Sequence, residues 1–413
     1  MNIQDVIHQK IVEQCARVAE WFHERSRGLA FPIYASFDMR DSGEKIVPVD
    51  ANLFPAGFNN ICPVDQEAAH EIVRSYVNTH YGNIKNLALL CEEHTGNVYY
   101  WENIRILLKI FGSAGFSVLP CLPRELNGPV TVATSSGASI VVHSAMNREG
   151  AAWVNDRKID LIICNNDFSV GYEEWSQGLR TSFNPPRELG WYRRKKYSFF
   201  QQYNALVRDF ARLIDIDPQC LQVATDIFSP FDADDLDSRG RLAEKVDEFL
   251  DRMREQYKIQ GIKSEPFCFV KNNSGTYGLA VMQARSGAEI QDWNNKVRKK
   301  MRAAKSGRDV TELIIQEGIP TRYHEPDGGV AEPCVYTIGD ELVGGFLRSH
   351  AEKGPDESLN SPGAVYKRLC VSDLQIKIAN CPMENVYGWI SRLGVLAIAL
   401  EARAGGIEFR GYR

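Results

Sequence analysis

At 413 residues, with 44% hydrophobic and 24% charged side chains, the chain has material for two or three domains, each with its own core. A net charge of −5 gives no reason to expect nucleic acid as a partner, and no run of about 18 uninterrupted apolar residues marks a membrane span. Ten cysteines, at 15, 62, 91, 121, 164, 220, 268, 334, 370 and 381, are scattered with no C-x-x-C pair. They read as reduced, buried small hydrophobes. Since the start MNIQDVIHQK also lacks an apolar signal segment, a cytoplasmic protein is expected.

In chain order, the spacing of Val6, Ile7, Ile11, Val12, Val18, Ala19, Trp21 and Phe22 predicts a helix over 6–27. Apolar runs follow at Ala30–Tyr34, Leu87–Cys91, Phe116–Leu119, Ser139–His143 and Leu161–Cys164, with helical stretches at Gln66–His80 and Tyr100–Ala114. Strands alternating with helices predict an α/β layer with a largely parallel sheet. Ligands bind at the carboxyl ends of such strands, so Glu92-Glu93-His94-Thr95 and Asn165-Asn166-Asp167 are candidate contacts, each weighed against a role in turns and caps. The densest polar signature runs from Ser36 to Gly43 and from Val49 to Asn60. An arginine among short carboxylates and amides suits an amino acid, so Asp38, Arg40, Asp50, Asn52, Asn59 and Asn60 are candidate substrate residues. Arg193-Arg194-Lys195-Lys196, beside Trp191 and Tyr197, is expected to be a solvated helix start. From Ser198 to about Tyr257 the pattern is helical, a connecting region, and a last amphipathic helix covers about Val386 to Ala404. The stretches 232–240 and 350–363 are candidate linkers, the second an expected ordering loop.

The segment 267–282 is a strand ending in Lys271, a polar loop with Gly275, Thr276, Tyr277 and Gly278, and a returning strand. Glycines let backbone N–H groups close over phosphate oxygens, and the lysine supplies the neutralising charge. An ordinary hairpin with a glycine turn explains the same segment about half the time. The lysine precedes the glycines, as in the ATP-grasp arrangement and unlike G-x-x-x-x-G-K-[ST]. Leu313–Gly318 then offers Gln316 and Glu317 at a hinge where a nucleoside would lie. A hairpin around Gly339-Asp340 places Glu332 on one strand and Arg348 at the end of the other, and Asn360 follows. Hard oxygen ligands for Mg²⁺, here Glu332 and Asn360, and a cation for the transferred phosphoryl group, here Lys271 and Arg348, are the types this chemistry needs.

Taken together, ASFDMRDSGEKIVPVDANLFPAGFNN, EEHTGN, NNDFS, GWYRRKKYSFFQQY, PFCFVKNNSGTYGLAVM, IIQEGIPT, AEPCVYTIGDELVGGF and LNSPGA resemble, over nearly the whole chain, the proteobacterial ATP-grasp-like glutamate–cysteine ligases of the Thiobacillus ferrooxidans type. The resemblance implies synthesis of γ-glutamylcysteine from glutamate and cysteine, the first step of glutathione production, with ATP and Mg²⁺. A ligase for another amine, and a nucleotide-binding regulator, stay open. Asn273, Ala280, His350 and Ser358 depart from the family's pattern, and drift there is expected to act on the phosphate and metal end. The expected organisation is an α/β substrate-binding domain over 1–197, a helical connecting region over 198–262, and an ATP-grasp-like α+β nucleotide-binding domain over 263–413.

Overall fold

The computed structural model describes residues 2–92, 96–168, 173–274, 280–302, 310–326, 328–378 and 381–413. Two helices open the chain, α1 (Ile3–Glu13) and α2 (Cys15–Ser26), where the spacing predicts one; Gln14 leaves the helical region between them, at φ −112°. Ala30–Tyr34 is not a strand. The first strand is β1 (Ala35–Asp41), all seven residues of which are buried although four are polar or charged. Ala35, Phe37 and Met39 enter the main core, while Ser36, Asp38 and Arg40 line clefts on the other side.

The expected division at 197 and 262 is not how the sheets divide. β1 and β2 (Ile46–Asn52) complete a sheet whose other members come from the far end of the chain: β15 (Tyr323–His324), β16 (Val330–Ile338), β17 (Glu341–His350) and β18 (Val365–Leu369). Its order is β18-β17-β16-β1-β2, antiparallel throughout, with β15 beside β16. Asp38 pairs across to Asp50 on one side and Cys334 on the other, and Glu332 faces Arg348. That register gathers the charged residues of four strands onto one face. Helix α10 (Val386–Ala404) covers the opposite face. It lies so close to β1 that a Cβ on Gly394 would be 2.3 Å from the Phe37 ring.

The second sheet is the expected α/β layer. Strands β3 (Asn86–Leu90), β4 (Ser117–Leu122), β6 (Ser139–Arg148), β9 (Leu161–Cys164) and β10 (Ser182–Asn184) run parallel in the order β10-β9-β3-β4-β6, with β5 (Val130–Ala133), β7 (Ala151–Val154) and β8 (Arg157–Lys158) added antiparallel. Helices α3 (Pro63–Tyr81) and α4 (Val98–Ser113) occupy the two helical stretches read from the sequence. Leu87 and Leu89 of β3 join the main core, whereas Ala88 and Leu90 join a smaller one on the other face. Both faces are covered, as parallel sheets require.

The third sheet, β11-β14-β12-β13, is antiparallel and made of β11 (Thr225–Phe228), β12 (Cys268–Asn272), β13 (Val281–Ala284) and β14 (Leu313–Glu317). The connecting region therefore contributes a strand as well as α6 (Lys196–Leu213) and α7 (Leu236–Gln260). α7 packs on this sheet around its own core of Leu242, Val246, Phe249, Val270 and Ile315, while α6 packs against α10.

Candidate active site

The charged face of the first sheet and the end of the third line a cleft. Lys271, near the end of β12, points into it, with Nζ 3.1 Å from Gln316 Oε1 and 3.4 Å from the Val49 carbonyl. Loss of water pushes its ammonium down to about 8, against the pull of Asp50. Four cations, Arg40, Lys196, Lys271 and Arg348, and three carboxylates, Asp38, Asp50 and Glu332, line the cleft among the described residues. One positive charge is left over, which suits an anion.

Most of these charges are held by one another. Glu332 lies between two guanidiniums, Arg40 Nε at 2.5 Å and Arg348 NH1 at 2.7 Å, and is 3% exposed. Burial would raise its pKa, but the two arginines lower it. Arg348 also donates to both oxygens of Asp38, at 3.1 and 3.3 Å. Arg40 also donates to the carbonyls of Pro355 and Glu357, at 2.8 and 2.6 Å. Asp50 receives Lys196 Nζ at 2.6 Å; burial raises its pKa, and Lys196, Lys271 and Arg194 more than cancel that.

A second, larger cleft adjoins the first and shares Asp38, Asp50, Arg348 and Asn360 with it. Its walls come from the carboxyl ends of the parallel strands and from the first sheet, and they include Asn52, Asn59, Asn60, Glu92, Tyr100, Glu102, Asp167, Trp191, Tyr336 and Tyr366. Glu102 is fixed by Arg105 at 2.6 Å and by the Ser136 hydroxyl at 2.7 Å. Burial opposes ionisation, yet these bonds hold the carboxyl down at about 2.

The structure brings together much of the predicted set and separates the rest. Arg348, Asp38, Asp50 and Asn360 meet at the junction, Lys271 lines the smaller cleft, and Asn52, Asn59, Asn60 and Asp167 line the larger one. Arg40 lies in the smaller cleft instead, where it braces the loop 355–357. Asn165 donates to the Pro55 carbonyl and to Tyr34 Oη, and Asn166 joins the Cys91 carbonyl to the Phe168 N–H; both are buried braces beneath the cleft floor. Glu317 gives one oxygen to Lys45, at 2.5 Å, and to Tyr257, and the other to the Ala224 N–H, so its carboxylate is used internally. Glu332, ringed by guanidiniums, is no site for a cation. Gly275, Thr276, Tyr277 and Gly278, and also Glu93, His94 and Thr95, lie outside the described residues.

Two departures from the family pattern prove to be braces. Asn273 accepts from the Tyr197 N–H at 2.9 Å and donates to Glu312 at 2.7 Å, clasping the end of β12 to the start of α6. His350 accepts from the Glu352 N–H and hydrogen-bonds the Pro362 carbonyl. Ala280 has φ +48°, a left-handed conformation native to the glycine that the pattern puts there. Ser358 does line the smaller cleft.

The run 193–196 is not the solvated helix start expected from its charge. Only Arg193 is exposed. Arg194 is buried in a bidentate pair with Glu401 of α10 and donates to the Ala51 carbonyl at 2.6 Å, pinning β2 between Asp50 and Asn52. Lys196 sits 4.3 Å above the Trp191 ring and reaches Asp50. Trp191 and Phe199, the aromatic neighbours of a cationic run, were the available signal.

Comparison with known proteins gives the class first: an ATP-dependent ligase that forms an amide bond. The chain belongs to the family described as glutamate-cysteine ligase, which it matches over residues 8–402. It is similar to a solved structure of a candidate gamma-glutamylcysteine synthetase from Methylobacillus flagellatus KT, at 33% identity, 96% coverage of each chain and a TM-score of 0.87. Weaker likenesses are to D-cycloserine synthetase, at 12% identity over 78% of this chain and 82% of that one with a TM-score of 0.38, and to D-alanyl-alanine synthetase A of Vibrio cholerae, at 10% identity over 77% and 81% with 0.31. These two scores are too low to carry an argument. Among proteins of curated function none matches the sequence. No helix among the described residues is long and apolar enough to cross a membrane.

Proposed function

We propose that the smaller cleft binds the phosphates of ATP and the larger one glutamate and cysteine, so that the γ-carboxylate of glutamate becomes an acyl phosphate and the cysteine amine displaces phosphate from it. The observation that carries this reading is the junction: the two clefts meet on Asp38, Asp50, Arg348 and Asn360, where a phosphate in one could touch a carboxylate in the other. A carboxylate is a poor electrophile at neutral pH, and transfer of a phosphoryl group to it concentrates negative charge. Lys271, whose pKa desolvation brings down to about 8, is held as the ammonium by that charge, and Arg348 faces it from the sheet opposite.

Asp50 and Asn360 are the oxygen-bearing side chains that would hold Mg²⁺ with the phosphates, since Asp50 is only partly buried and Asn360 is exposed. The ion would neutralise the developing charge. Asn52, Asn59, Asn60 and Asp167 hold the polar ends of the amino acids, with Trp191 and Tyr336 excluding water around them. The products are γ-glutamylcysteine, ADP and phosphate.

The test is ADP release by the purified protein with Mg·ATP. Release should require both glutamate and cysteine. Release with glutamate and another amine, and none with cysteine, would keep the mechanism and change the product. No Mg·ATP binding by calorimetry at millimolar concentration would reject the ligase reading in favour of a regulator.

A further inference from the structure

Outside both clefts, one group of side chains brings soft and hard metal-ligand atoms together. Cys62, just before α3, Asp65 in its first turn, and Cys370, which follows β18, place two thiol sulfurs and a carboxylate oxygen within 4.8 Å of one another. A tetrahedral ion with bonds to sulfur of about 2.3 Å holds its sulfurs about 3.8 Å apart, so the spacing suits one ion between them. The two thiols are hydrogen-bonded to each other rather than joined. The ligands are also oriented from behind. Asp65 Oδ2 accepts the Val371 N–H at 2.9 Å, and the Cys370 N–H is held by Asp373 at 2.8 Å. Cys62 is the N-cap residue of the helix, held there by the Gln66 N–H, which donates to its carbonyl at 2.9 Å. Two thiols and one carboxylate thus converge in one place, and Asp65 and Cys370 are partly exposed, which leaves room for a water ligand.

We propose that Cys62, Cys370 and Asp65 bind a soft divalent cation of the zinc type, with water in the fourth position. The site would act as a staple. Asn59 and Asn60 lie just before Cys62, and Val365 and Tyr366 just before Cys370, and all four line the larger cleft. An ion here would fix two walls of the amino-acid site to each other while remaining outside it.

Cobalt titration of the full-length protein, stripped with a chelator and kept reduced, tests the site without reference to activity. One Co²⁺ per chain should bind with a near-ultraviolet thiolate charge-transfer band, and Zn²⁺ but not Mg²⁺ should displace it. Cys62→Ser and Cys370→Ser should each remove or halve the band. Asp65→Asn, which keeps both thiols, should retain the band and weaken binding about tenfold or more. Circular dichroism checks that each variant is folded. Absence of the band in the wild-type protein, a band unchanged in folded Cys62→Ser, or recovery of Cys62 and Cys370 as a disulfide in protein that binds no Co²⁺ once reduced would overturn the proposal, the last in favour of a redox pair.

Discussion

The two clefts are built from opposite materials. In the smaller one charge meets charge: a sheet face of Asp38, Arg40, Glu332 and Arg348 is locked by salt bridges and faced by Lys271 and Lys196. In the larger one amides, aromatic rings and carboxylates stand at strand ends and on α4. A triphosphate needs fixed positive potential, whereas two amino acids of similar backbone must be told apart by the number and direction of hydrogen bonds. The charged cleft should therefore govern rate and nucleotide affinity, and the amide cleft should govern amino-acid KM.

Lys271→Ala should break this division most sharply. Removing the cation that faces the transferred phosphoryl group should lower kcat about 10²-fold or more, and since Lys271 is held in a costly desolvated state, the melting temperature should not fall. Turnover at the wild-type rate would show that β12 and its loop form a mere hairpin. Arg40→Lys comes next. Because this guanidinium spans Glu332 and the carbonyls of 355 and 357, its loss should loosen the loop carrying Ser358 and Asn360 and weaken Mg·ATP binding about tenfold, with glutamate KM little changed. A rise in glutamate KM alone would return Arg40 to the substrate carboxylate.

Asn59→Ala probes the other cleft. Losing one hydrogen bond of about 1 kcal/mol should raise an amino-acid KM about fivefold and leave the nucleotide Kd alone. The pH dependence sharpens the comparison further. A pKa near 8 in the free protein that rises when phosphates arrive means that affinity is fully present below about pH 8 and fades as pH climbs through the bound-state value. Calorimetry at pH 8 in buffers of different ionisation enthalpy should register uptake of about half a proton per nucleotide, and Lys271→Ala should abolish it. The smallest effect is expected at the lid base: Ala280→Gly relieves a left-handed alanine, partly offset by unfolded-state entropy, and should change stability by no more than about 1 kcal/mol in thermal melts.

Local patterns in the sequence carried much of this architecture. The final helix runs over Val386–Ala404 as its apolar spacing predicts, and the hairpin of β16 and β17 turns at Gly339, where φ is +56°. Polar residues buried by pairing were not legible. In β1 the run Asp38-Met39-Arg40-Asp41 looks like a loop until Glu332, Arg348 and Arg322, some three hundred positions away, neutralise it. Arg194 and Lys196 were misread for the same reason, because their partners Glu401 and Asp50 come from distant elements. Glu317 shows the converse error: a carboxylate at a strand end suggested a ribose contact, but Lys45 on the β1–β2 turn reaches it first.

The placement of β1 and β2 beside β16 has a consequence for how the protein comes to exist. Residues 35–52 must wait for residues 330–338 before their ladder can close, so almost the whole chain has to leave the ribosome before the charged face is assembled. Contacts so far apart in sequence slow folding, and during that interval Arg40, Asp38 and Asp41 stay solvated instead of burying unpaired charge. A fragment that starts at 263 would present β16 with an open edge and would be more prone to aggregate than to bind nucleotide.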